Sequence, residues 1–109
     1  MRVVCIPVDD RGHVEPRWGK APKVAVAQVS DQGQIENWEV FAVGWDALHD
    51  QNGEGQHHAR IARFLMDHKV TDVAAEHMGP GMERMIQSMR LNLHLGAQGD
   101  ARSVVEHLQ

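Results

Sequence analysis

The apolar residues of this chain change period part-way along, and that change limits the folds open to it. Up to Val40 they come in short runs of strand length; from His57 they recur at helical spacing, after which short strands alternate with helices. RVVCIPV (2–8) is a continuous, β-branched run, the pattern of a strand covered on both faces. Pro7 lacks a ladder donor and is placed near the end of that strand. KVAVAQV (23–29) and QIENWEV (34–40) flank SDQG, whose composition suits a tight antiparallel hairpin. From His57 to Lys69, Ile61, Ala62, Leu65 and Met66 share one helical face. TDVAA (71–75) reads as a strand, Gly79 to Arg90 as a helix and LNLHL (91–95) as a strand. Asp100 then caps a last helix carrying Val104, Val105 and Leu108.

The order is β-β-β-α-β-α-β-α, an α/β chain in which a leading hairpin adds antiparallel pairing to strands joined by right-handed crossovers. Counting strand directions puts the loops at 9–22, 42–57, 76–81 and 96–100 on one edge of a mixed sheet. Open α/β sheets bind ligands at that carboxyl edge. The segment 42–56 is long for a compact domain, which marks it as mobile or functional. No repeat or linker interrupts the pattern, so residues 1–109 are expected to form a single domain.

The bulk composition narrows the partners. A formal net charge of -4, without a run of Lys or Arg, argues against nucleic acid and anionic membranes. A chain of this length buries roughly 65% of its unfolded surface, enough for a core without staples. The lone Cys5 cannot form an internal disulfide and sits in an apolar run, where it packs as a small hydrophobe. The first apolar run is too short for a signal peptide, and the expectation is a cytoplasmic protein.

Two features of the carboxyl edge carry chemistry. In AAEHMGPGMERM (74–85), Pro80 suits the first turn of a helix, while Gly79 and Gly81 let main-chain amides approach a bound group. Open amides at a helix start attract anions; the plainer reading is a tight strand-to-helix turn. His57, His58 and His77 belong to the same edge, and convergent imidazoles make a candidate transition-metal site, although no HExxH or CxxC spacing accompanies them. Each alone reads as a solvated or main-chain-bonded side chain. Met78, Met82, Met85 and Met89 repeat at helical spacing and read as core. Trp38 is expected to pack, whereas Trp18 and Trp45 lie in edge loops where they could flank a ligand or grip a partner protein. No nucleophile elbow, Walker loop or dinucleotide fingerprint is present. Asp9, Asp10 and Glu76 are the only carboxylate set fit for a two-metal nuclease, and no basic groove accompanies them.

CIPVDD, RWGKAPKVAVAQV, HHARIARFLMDHKVTDV, AAEHMGPGM and LNLHLGAQGDARSVVEHL together resemble the dinitrogenase iron-molybdenum cofactor-binding family, the nitrogenase accessory proteins and their small relatives, over essentially the whole chain. The resemblance implies a ribonuclease-H-like three-layer fold with a mixed five-stranded sheet. It also implies non-catalytic binding or carriage of an iron-sulfur or iron-molybdenum-type cluster, with a cluster donor or acceptor protein as partner. Arg17-Trp18-Gly19 stands where the family often has His-aromatic-Gly, and Glu76-His77 stands where many relatives have small residues. The cofactor-binding set is then Arg17, Trp18, Gly19, Lys20, Gly79, Pro80 and Gly81, with His57, His58 and His77 offering bonds to metal. Protonated imidazole cannot coordinate iron, so affinity is expected to fall through the imidazole range. The alternatives are a metal-free protein-interaction adaptor and a divalent-metal-dependent nuclease. An exposed end strand leaves room for a homodimer.

Overall fold

The computed structural model describes residues 1–49 and 53–108. Its elements are β1 (Arg2–Val8), β2 (Lys23–Val29), β3 (Ile35–Phe41), α1 (Trp45–Leu48), α2 (Glu54–Asp67), β4 (Asp72–Ala74), α3 (Pro80–Ser88), β5 (Asn92–His94) and α4 (Ala101–Glu106). They build an α/β fold around one mixed five-stranded sheet of order β3-β2-β1-β4-β5. β1 is central, as its buried run requires, and its antiparallel register with β2 extends from Arg2 opposite Val29 to Val8 opposite Lys23. On its other side the parallel register with β4 covers only Val4 and Cys5. Pro7 lies beyond those two residues and so deprives β4 of no donor.

Strand alternation sends side chains to two separate cores. One holds Cys5, Val24, Val26 and Val73 with Trp18, Trp45, Ile61, Leu65, Met82 and Ile86, and is covered by α2 and α3. The other holds Val4, Ile6, Val8, Ala25, Ala27 and Ala74 with Ala101 and Val105 of α4. Cys5 is fully buried, and burial pushes its thiol well above the usual range. The methionines follow the core reading: Met82 is buried, with Met78, Met85 and Met89 packed beside it.

Three expectations need correction. α2 begins at Glu54 rather than His57, because Gly55 is tolerated in its exposed first turn. The segment read as a loop over 42–56 contains the four-residue helix α1, too short to show a period; its residues 50–52 lie outside the described ones. Trp18 and Trp45 are not exposed edge aromatics. Each is 2% exposed, and their rings meet edge to face with centroids 5.4 Å apart. That removes the residues with which a metal-free adaptor was expected to grip a partner.

Asp72 of β4 is buried on the α4 side of the sheet, although the sequence reading gave it no role. Its carboxylate accepts from Thr71 Oγ1 at 2.6 Å and His94 Nε2 at 2.8 Å. A buried carboxylate without such donors would be strongly destabilising, so His94 is a structural partner here.

Candidate functional site

At the carboxyl edge, on the side covered by α2 and α3, three segments enclose a cleft of about 610 Å³. All ten residues singled out in the sequence line it: Arg17, Trp18, Gly19 and Lys20 from the β1–β2 loop, His57 and His58 from α2, and His77, Gly79, Pro80 and Gly81 from the β4–α3 turn. Residues 95–99, in the last loop of that edge, do not. They turn toward the β1–β2 loop, where the Val14 amide donates to Gly99 O at 2.8 Å.

The first wall is a short stretch of loop held from several sides. An isolated parallel bridge joins Arg17 to His77, so two rims of the cleft share a main-chain contact. Arg17 Nε donates to Glu15 Oε1 at 2.8 Å, and this bond holds the Glu15 carboxyl below its ordinary range. Trp18 faces inward, and its buried indole N–H has no partner among the described residues. A Cβ on Gly19 would lie 3.9 Å from Met82 Cε, which places the thioether of α3 beneath the loop.

His57 stitches this loop to α2. Its Nε2 lies 2.6 Å from Gly19 O and its Nδ1 lies 2.8 Å from Arg60 Nη1. A guanidinium only donates, so Nδ1 must present its lone pair and Nε2 must carry the proton that Gly19 O accepts. The ring is therefore neutral with both nitrogens engaged. Burial lowers its pKa first, the Gly19 bond works in the other direction, and the neighbouring His49, Arg60 and His58 lower it further. In this arrangement His57 has no lone pair to offer a metal without breaking one of two part-buried bonds.

His58 and His77 differ from it. His58 packs against the start of α3, its Cε1 3.3 Å from the position that a Cβ on Gly81 would take. Its Nε2 stands 3.6 Å from Glu54 Oε1, beyond hydrogen-bond length. His77 is exposed at the rim. α3 itself opens at Gly79 with extended main chain, no capping side chain and Pro80 in its first turn. That combination leaves first-turn amides turned outward without side-chain partners. Among the described residues no group of three His, Cys, Asp or Glu is arranged to hold a metal ion, so the imidazoles do not form a closed cage.

The carboxylates proposed for nuclease chemistry do not converge. Asp9 accepts from the Arg11 and His13 amides, which hold its pKa down, the His13 bond most. Asp10 pairs with Lys23, and Glu76 Oε1 accepts from Gln98 at 3.1 Å. Met78, Met82, His49 and Glu54 also line the cleft, though the sequence reading left them out of the site. Glu54 was legible only once α2 was known to start there, four residues before His58.

A family model for the dinitrogenase iron-molybdenum cofactor family matches residues 1–109, and the chain belongs to that family. Solved structures agree on the fold. The apo form of the orange protein from Desulfovibrio gigas superposes with a TM-score of 0.76 at 17% identity, covering 97% of this chain and 85% of that one. A Thermotoga protein described as NifB gives 0.73 at 17% identity over 97% and 85%. The protein PH0822 gives 0.75 at 20% identity over 95% and 86%. Among curated proteins none matches the chain. No helix in the described residues is long and apolar enough to cross a membrane.

Proposed function

We propose that the protein is a non-catalytic carrier for an anionic iron-sulfur-type cluster, of which an iron-molybdenum cofactor is one form, and that the cargo docks in the carboxyl-edge cleft. One observation carries this reading. The cleft gathers two cationic side chains, an uncapped helix start and the imidazoles of His58 and His77 within one family-matched chain. Lys20, the α3 amides and Arg17, whose Nε is shared with Glu15, attract negative charge. His58 or His77 supplies a replaceable bond to iron. Met78 and Met82 give a soft, adaptable wall. With Cys5 buried, no thiolate is on hand to build a cluster in place, so the cargo arrives preassembled and keeps its other ligands. A donor or acceptor protein then completes the transfer. We also read the sheet order, with helices on both faces, as the ribonuclease-H-like three-layer arrangement.

The test is metal loading. Tag-free protein is given a preassembled iron-sulfur cluster, without oxygen, and bound metal is compared for wild type and His77→Ala. Stoichiometric loading that the substitution reduces supports the carrier. Absence of stoichiometric metal in both defeats it.

A further inference from the structure

The charges around the cleft are unequal in number, and the minority one is placed to matter. Among the described lining residues Arg17 and Lys20 are permanent cations and Glu54 is the only carboxylate. Glu54 stands in the first turn of α2, largely exposed, yet its Oε1 lies 3.8 Å from the position that a Cβ on Gly81 would take. The carboxylate therefore sits at the mouth of α3, where an incoming anion would seek the same first-turn amides. At 3.6 Å from His58 Nε2 it is not tied down by a hydrogen bond. A carboxylate near two helix starts is locally favoured, so it persists there at little cost to the fold.

We propose that Glu54 is the specificity-determining residue of the cleft: a negative charge at its mouth that selects against highly charged anions and weakens the hold on any anionic cargo. The inference rests on the carrier reading. Its physical signature is distinct from that of a metal ligand or a packing residue. Repulsion between Glu54 and the cargo scales with the cargo's charge and is screened by salt, whereas a coordinate bond or a steric contact does neither. For a carrier the effect is useful, because a cargo attracted by Arg17 and Lys20 alone would be slow to leave.

The experiment uses two synthetic iron-sulfur cubanes with one core and different thiolate caps. Mercaptoethanol caps leave two negative charges on the whole, and mercaptopropionate caps leave six. Binding is followed by quenching of tryptophan fluorescence, without oxygen, for wild type, Glu54→Gln and Glu36→Gln. The last variant removes the same unit of charge from β3, away from the cleft. Glu54→Gln is expected to bind the less charged cubane about twofold tighter and the more charged one about eightfold tighter, both gains shrinking in high salt. Glu36→Gln is expected to match wild type. Weaker binding by Glu54→Gln would make Glu54 a ligand and overturn the proposal, while the carrier reading would stand. An equal, salt-independent gain for both cubanes would overturn it in favour of a steric role. If no form of the protein binds either cubane, the carrier reading fails and takes this inference with it.

Discussion

The two sides of the sheet solve the same problem with different materials. Toward α4 the core is built from Val, Ala and Ile, and the helix begins at Asp100, whose carboxylate accepts the Ser103 amide at 2.9 Å. Toward α2 and α3 the core is built from Trp18, Trp45, Ile61, Leu65 and Met82, and both helices begin at glycines with no capping side chain. Small β-branched residues and a capped helix make up one side. Large residues and uncapped helices leave the other with a cleft whose polar groups want partners. A binding surface thus arises where local structure is left incomplete above a well-packed floor.

The largest test of this contrast is the floor itself. Trp45→Ala is expected to lower unfolding free energy by about 3–5 kcal/mol, and Val105→Ala on the opposite side by about half as much, both read by urea denaturation. Equal losses would break the distinction between a large-residue and a small-residue core. Next comes the stitch between α2 and the β1–β2 loop. His57→Ala leaves Gly19 O and Arg60 without their ring partner and is expected to cost about 1–3 kcal/mol in the same assay.

The same histidine sets a pH dependence whose sign follows from its lowered pKa. The unfolded chain binds a proton at the ordinary imidazole value, near 6.5, before the folded chain does. The contribution of His57 to stability is therefore fully present above that value and is lost as pH falls from it through the lower folded value. Wild type should lose denaturation midpoint between neutral and acidic pH, and His57→Gln should lose less.

A smaller effect is expected on the α4 side. Asp100→Ala removes the α4 cap and should cost about 1 kcal/mol, with no change in cargo binding. The smallest stability change belongs to Gly81→Ala. Its helix-propensity gain of about 1 kcal/mol is offset by the 3.3 Å approach to His58 Cε1. Near-neutral stability with weakened metal loading is the expected result, and undiminished loading would show that the position of His58 is unimportant.

Much of this architecture was legible because burial and period go together. β1 and β2 were bounded correctly by their apolar, β-branched runs, and Asp100 announced α4 by side-chain chemistry alone. Strand direction then sufficed to bring Arg17, His57, His58, His77 and Gly81 to one edge. What pattern could not carry was orientation. Trp18 stands in an irregular loop and Trp45 in a four-residue helix too short to show a period, so nothing reports which way either side chain turns, and both turn inward. The engagement of His57 depends on Arg60 one helical turn away and on a loop carbonyl distant in sequence, a tertiary fact with no local signature.

The unequal pairing of β1 has a bearing on how the molecule opens. Along β2 the central strand is zipped over its whole length, while toward β4 it is joined only over its first half, from the Val3–Thr71 hydrogen bonds to Cys5, with the Arg17–His77 bridge as a further tie at the cleft. The cleft straddles that seam: Arg17 to Lys20 hang from the zipped half, and His77 to Gly81 from the partly joined half. Amide exchange should therefore be faster in β4 and β5 than in β2, and a partial parting of the seam would widen the mouth of the cleft while leaving the hairpin sheet whole.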